Sequence, residues 1–169
     1  MQEYTTIWII SLFKAFLPLY LAGIGIIVAL IFIKKKKEKK YRKAGFDIID
    51  NISGKEFEKY VKTLLKKMGF KVKETSPQAD YGIDLIAESP DGRTTAIQCK
   101  RWNKKVGVKA IQEAVAGKNY YKTDEAAVIT NNHFTKNAKK LAKANNVELI
   151  DRDILAEIIL ETTREDEKE

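Results

Sequence analysis

The sequence predicts an α/β domain, a mixed sheet flanked by helices, preceded by a single transmembrane helix. Three observations predict it. Residues 15–33 carry no charge. The stretch Asp80–Arg101 holds two short apolar runs, Ile83–Ala87 and Thr95–Cys99, joined by Ser-Pro-Asp-Gly, which is turn chemistry between strands. Beyond Gly107, helical and strand patterns alternate, which implies a parallel portion of sheet with right-handed crossovers.

The uncharged run is nineteen residues long, about 28 Å as a helix, and matches the hydrocarbon thickness of a bilayer. Thr6–Phe13 extends it, with Lys14 between. Lys14 could snorkel to the outer interface, or the first dozen residues could lie along the membrane surface. A cleaved signal peptide fits poorly. Glu3 stands at the start without an early basic residue, the apolar run is too long, and no small-x-small site precedes the charges. Eight basic residues and one acid follow in 34–43, which puts residue 34 onward in the cytoplasm by the positive-inside rule. That segment carries +7 of the chain's net +8. Contact with anionic lipid and stop-transfer account for it, so the basic pI is weak support for nucleic-acid binding, although the segment could hold DNA near the membrane. The expected organisation is an anchor over 1–33, a basic linker over 34–51, a folded α/β domain over 52–160 and an acidic, frayed tail over 161–169.

Within the domain, Ser53-Gly-Lys-Glu56 is a capping box. Phe57, Val61, Leu64, Leu65 and Met68 recur at helical spacing, and Gly69 suits the position after the helix, which gives a helix over about 54–68. Glu58 lies roughly 20° around the wheel from Leu65, on the flank of the apolar stripe. Phe70–Glu74 alternates as an edge-like strand. Asp80 either caps the turn before Gly82 or adds a second carboxylate to the hairpin. Arg101–Gly107 is a basic loop with one aromatic, in which Trp102 either stacks on a substrate or covers the core. Val108, Ile111, Ala114 and Val115 mark a helix to about Tyr121, and Ala126–Thr130 is a buried strand. Thr135 caps a helix containing Ala138, Leu141 and Ala142, Val147–Ile150 is a last strand, and Asp153 begins a helix to about Leu160.

In an antiparallel hairpin the start of one strand lies beside the end of the next, so Asp84 and Lys100 share an edge, and Gln98 and Lys100 share a face. A carboxylate, an amide and an ammonium in one small volume suit phosphodiester hydrolysis. The carboxylate can hold a divalent cation that lowers the pKa of a bound water, and the lysine can orient that water or offset developing charge. A surface hairpin with solvated charges is the plainer alternative. Cys99 is the only cysteine. It cannot form an internal disulfide, and mid-strand without a neighbouring histidine it reads as a small hydrophobe. One Cys and one His exclude a zinc-binding spacing, no Gly-rich phosphate loop indicates an NTPase, and His133, alone in its loop, is left outside the site.

Asp84, thirteen intervening residues, then Gln98-Cys-Lys100-Arg101 resembles the Mrr-type branch of the PD-(D/E)xK nuclease superfamily, in which Gln stands where the wider superfamily has Glu. Gly54-x-x-Phe57-Glu58, Val128-Ile-Thr130, Phe134-Thr135 and Ala138 extend the resemblance over about 52–160. It implies a restriction-endonuclease-like fold and Mg²⁺- or Mn²⁺-dependent hydrolysis of DNA. In that reading Asp84, Gln98, the Cys99 carbonyl and Glu58 serve the metal, and Lys100 positions the attacking water. Arg101, Trp102, Lys104 and Lys105 are candidate substrate contacts. The expected partners are DNA and a lipid bilayer through 15–33, with a homodimer as a further option. The rival readings are a structure-specific nuclease or junction resolvase, and a catalytically silent DNA-binding or assembly module at the membrane.

Overall fold

The computed structural model describes the backbone of residues 2–76 and 81–166, and side chains from Phe16 to Ser76 and from Tyr81 to Glu165. The chain divides into two compact units, residues 1–40 and 41–169.

The first unit is formed by helix α1 (Gln2–Lys43). Its stretch from Phe16 is, among the described residues, the one helix long and apolar enough to cross a membrane by length and composition. None of its apolar window is buried, and Leu19 and Phe32 are 72% and 73% exposed. A helix apolar all round lacks the one-sided stripe of a helix lying on a soluble core. Lys14 lies outside the described side chains.

The second unit begins earlier than the sequence pattern suggests. The basic residues 34–43 continue α1, and α2 (Phe46–Ile49) follows a turn at Gly45, whose φ is +72°. Ala44, Phe46 and Ile49 are buried in the core, so the end of the expected linker is part of the domain. Helix α3 (Gly54–Lys67) opens on the predicted capping box: Glu56 accepts from the Ser53 N–H at 2.7 Å, and Ser53 Oγ accepts from the Glu56 N–H at 3.2 Å.

Five strands, β1 (Lys71–Glu74), β2 (Leu85–Glu88), β3 (Thr94–Lys100), β4 (Glu125–Thr130) and β5 (Val147–Ile150), form one sheet in sequential order. β1–β2 and β2–β3 are antiparallel, while β3–β4 and β4–β5 are parallel, with helix α4 (Val108–Tyr121) and helix α5 (Lys136–Ala144) in the crossovers. The sheet is therefore mixed, as the hairpin and the later alternation predict. Period-two alternation divides the core. Leu85, Ile97, Cys99, Ala127 and Ile129 pack with Phe57, Val61, Leu64 and Leu65 of α3 and with Leu155, Ala156 and Ile159 of α6 (Arg152–Asp166). Ala126 and Val128 pack on the other side with Ile111 and Ala114 of α4 and Ala138 of α5. Each fully buried Leu, Ile or Phe contributes roughly 1.5–3 kcal/mol. At Gly117 helix α4 comes so close to Ile83 that a Cβ would lie 2.0 Å from its Cγ1.

The last helix departs from the sequence pattern at both ends. It starts at Arg152, because Asp151 Oδ1 accepts the N–H groups of Asp153 (3.0 Å) and Ile154 (3.4 Å). It runs through 161–166, where fraying was expected. Thr162 is buried and continues the stripe of Leu155 and Ile159, and the Thr162 and Thr163 hydroxyls donate to the carbonyls of Ile158 and Ile159.

Candidate active site

Asp84 lies at the mouth of the β2–β3 hairpin, its N–H donating to the Ile97 carbonyl at 3.0 Å. Its Oδ2 accepts from the Cys99 N–H at 2.7 Å and from Gln98 Nε2 at 2.5 Å. Gln98 Nε2 also donates to the Cys99 carbonyl at 3.2 Å. One carboxylate, one amide and one main-chain carbonyl thus form a single bonded group. Gln98 is 3% exposed, and its Oε1 is buried without a hydrogen-bond partner.

Lys100 closes β3 on the Gln98 face. Its ammonium lies 2.9 Å from Glu113 Oε2 on α4, an ion pair with each side chain about one-quarter exposed. Glu113 was not legible as a site residue. Its neighbours Ile111 and Ala114 mark only the buried side of α4, and what brings Glu113 to the site is the packing of that helix over β3. Gly82 makes room for it. With φ at +77°, a Cβ there would stand 2.7 Å from Glu113 Cβ and 3.4 Å from Gln98 Oε1.

Glu58 lies in the second turn of α3, its side chain one-fifth exposed and 2.8 Å from Lys55 Nζ. Burial pushes the Cys99 thiol well above its ordinary pKa, the charges of Asp84 and then Glu58 raise it further, and Lys100 opposes them. Those three charges therefore share one neighbourhood around Cys99, and the thiol is held protonated, which rules out a nucleophile there. Asp80 lies outside the described residues.

The basic loop divides in two. Arg101 donates to the Asp50 carbonyl and is held inward by that bond. The Trp102 backbone is clasped by Asn131 and Asn132, at 2.8 and 3.2 Å. Trp102 is 45% exposed, the Lys104 ammonium lies 5.5 Å from its ring centroid, and Lys105 is exposed. The free surface beyond Lys100 is therefore Trp102, Lys104 and Lys105, with Arg101 occupied in structure.

The donor set of carboxylate, amide and carbonyl oxygens suits Mg²⁺ or Mn²⁺, and Gln98 Oε1 is a buried acceptor with no hydrogen-bond partner among the described residues. A second group, His133, Asp151 and Asp153, offers ligand atoms within 4.8 Å of one another. Asp151 there already caps α6.

Glu58 and Glu56 give a direct comparison. Glu56→Gln is expected to change little, because Gln also caps. In the family resemblance read from the sequence, Glu58 serves the metal, and Glu58→Gln keeps its size and removes its charge. Cleavage is expected to fall and to recover partly at higher metal concentration, with melting nearly unchanged, since an exposed i,i+3 ion pair contributes at most about 0.5 kcal/mol. Equal activity and equal metal response in the two variants would remove Glu58 from the site.

A family model described as a restriction endonuclease, Mrr_cat, matches residues 49–159. Two solved structures share the fold. A protein of unknown function, AF1548, is 25% identical with a TM-score of 0.54, over 63% of this chain and 65% of that one. The DNA modification-dependent restriction endonuclease AspBHI is 16% identical with a TM-score of 0.58, over 77% of this chain and 38% of that one. The chain thus spans just under two-thirds of the first and well under half of the second. No curated protein sequence matches it.

Proposed function

Because the chain belongs to the restriction endonuclease family, as a Mrr-type domain of the PD-(D/E)xK superfamily, we propose that it is a membrane-tethered, metal-dependent endonuclease that hydrolyses DNA phosphodiester bonds. The observation that carries the reading is the bonded group of Asp84, Gln98 and the Cys99 carbonyl with Lys100 one residue further along β3. Asp84, Gln98, the Cys99 carbonyl and Glu58 would hold Mg²⁺ or Mn²⁺. Bound there, the ion supplies a Lewis acid to a phosphate oxygen and to the attacking water.

The side chains do the remaining work. The Lys100 ammonium, held beside Glu113, orients the water and offsets the charge that gathers on the phosphate. Burial of the Gln98 amide and the Cys99 strand keeps bulk water away from one side of Asp84, which strengthens every charge interaction there. Trp102, Lys104 and Lys105 extend from this edge as contacts for the sugar-phosphate backbone, which positions a duplex without reading its sequence. Water adds across the P–O bond, leaving a phosphate monoester on one fragment and a hydroxyl on the other.

The test is cleavage of plasmid, linear and branched DNA by the full chain in detergent, with Mg²⁺, Mn²⁺ or a chelator. Metal-dependent cutting that the chelator stops is the expected result. Cutting that survives the chelator would remove the metal, and no cutting of any substrate would leave the silent module.

The tether is supported by α1, which is long and apolar enough to cross a membrane, and a cytoplasmic side for the residues after it is supported by the basic run 34–43. The chain is expected to stay with membranes through carbonate extraction, and protease added outside intact cells is expected to spare residues 41–169. Release by high salt alone would mean that lipid electrostatics, not a spanning helix, holds it.

A further inference from the structure

The two ends of the Gln98 amide are told apart by their partners. Nε2 donates to Asp84 Oδ2 and to the Cys99 carbonyl oxygen. A carboxylate and a carbonyl can only accept, so the NH₂ must face them. Oε1 therefore faces the opposite way, where it is buried and accepts from no described residue. That side is the space left by Gly82, bordered by Gln98 Oε1 and by Glu113, whose Cγ would be 3.0 Å from a Cβ at that position. Glu113 Oε2 is also buried, and the Lys100 ammonium is its ion-pair partner at 2.9 Å.

The arrangement is lopsided. Amide protons lie between Asp84 and the Cys99 carbonyl, the two groups that would hold a cation. On the Gly82 side the Gln98 oxygen accepts from no described residue, and the Glu113 side chain, whose carboxylate is paired with Lys100 at 2.9 Å and Lys109 at 3.9 Å, borders the same space. Turning the amide over would reverse both conditions. The Gln98 oxygen would then face the cation position and its NH₂ would face the Glu113 carboxylate. The motion is a rotation about the terminal side-chain torsion, which is broad and two-fold and needs no main-chain movement.

We propose that Gln98 is a two-position amide, whose NH₂ fills the cation's place between Asp84 and the Cys99 carbonyl in the metal-free protein and turns over to Glu113 when a divalent cation is bound. The inference rests on the metal-dependent reading above and adds the metal-free state and a role for Glu113. Glu113 is then a positioning residue. It receives the turned amide and steadies Lys100, and it touches neither metal nor substrate. A glutamine is what such a device needs. A glutamate at 98 would set two carboxylates side by side in the metal-free protein and could not donate to Asp84 or the Cys99 carbonyl.

The test reads the amide without reference to catalysis. The full chain in detergent micelles is labelled with ¹⁵N-glutamine, and the Gln98 NH₂ pair is identified by its loss in Gln98→Glu. ¹⁵N-cysteine gives one main-chain signal, from Cys99, the only cysteine. In the absence of DNA, Mg²⁺ is expected to move the Cys99 signal and the Gln98 pair together, to saturation. Glu113→Gln is expected to leave the metal-free Gln98 pair in place, to move the metal-bound pair, and to weaken Mg²⁺ binding by about tenfold, the scale of one hydrogen bond to a charged acceptor. A Cys99 signal that moves while the Gln98 pair stays fixed would overturn the turnover and leave the metal site standing. A metal-free pair that shifts in Glu113→Gln would overturn the assigned starting position. If neither signal responds to Mg²⁺, the metal-dependent reading falls and the turnover falls with it.

Discussion

Lys100→Ala and Asp84→Asn are each expected to lower the single-turnover rate of DNA cleavage at least ~100-fold, the usual cost of removing a positioned charge from such a site. Asp84→Asn is preferred to Asp84→Ala for a structural reason. Asp84 Oδ2 accepts both the Cys99 N–H and the Gln98 amide, and truncation to alanine leaves two inward donors unpaired, at about 1–3 kcal/mol each. Asparagine keeps an acceptor oxygen and removes the charge a cation needs, so a rate loss in Asp84→Asn with an unchanged melt is chemical. Lys100→Ala removes the nearer of the two lysines paired with Glu113 and leaves Lys109 at 3.9 Å. Lys100→Met, which keeps the aliphatic stem, separates the lost ammonium from lost packing. Undiminished cleavage by both the Asp84 and Lys100 variants would remove this edge of the sheet from catalysis.

The hairpin was legible because its signals are local. Pro90-Asp-Gly92 fixes the turn, and strand pairing then sets Asp84 opposite Gln98 by register alone, since Leu85 pairs with Ile97. Glu58 could be placed on the flank of its helix because α3 has a sharp apolar stripe. Glu113 could not be found in this way. Its place beside Lys100 depends on how α4 crosses β3, and Gly117 and Gly82, the residues that allow the close approach, look like ordinary glycines in the sequence. The boundary at residue 52 moved for the same reason. Phe46 and Ile49 lie in a short apolar stretch after a basic run, and they are buried in a core cluster with Leu155 and Ile159, more than a hundred positions away. Arg101 reads as a phosphate contact from its neighbours, and only the fold reveals the Asp50 carbonyl that occupies it.

Arg152 is expected to be the most costly charged residue to lose. Its guanidinium grips Asp50 with two parallel bonds, Nη1 to Oδ1 at 2.8 Å and Nη2 to Oδ2 at 2.7 Å. Nη1 also donates to the Asn131 carbonyl at 2.8 Å, and Asn131 Nδ2 donates to Asp50 Oδ1 at 2.9 Å. The guanidinium carbon lies 4.9 Å from the Tyr41 ring centroid and 4.3 Å from that of Phe46, within cation–π range. Arg101 adds its bond to the Asp50 carbonyl. Four separate segments thus converge on one ion pair directly below the 101–105 loop. Asp50 is more than a third exposed, so the pair is discounted against a fully buried one. Arg152→Ala is expected to cost roughly 2–4 kcal/mol from the lost fork and the lost ring contacts, and Arg152→Lys an intermediate amount, because lysine keeps the charge without the fork. The pH dependence has a definite sign. Burial pushes the Asp50 carboxyl up, but the bonds from Arg152 and Asn131 and the charges of Arg152 and Arg101 outweigh it and hold the folded value below the ordinary one. A lowered carboxylate stabilises the fold fully above its unfolded value, about 3.9, and loses that contribution as pH falls through the folded value. Melts of the full chain in detergent should therefore show a gap between wild type and Asp50→Asn that is widest near neutrality and closes on acidification below about pH 4. A gap of constant width down to the lowest pH at which both fold would mean that the charge on Asp50 contributes nothing, and that the aromatic pair and the Asn131 bonds hold Arg152 without it.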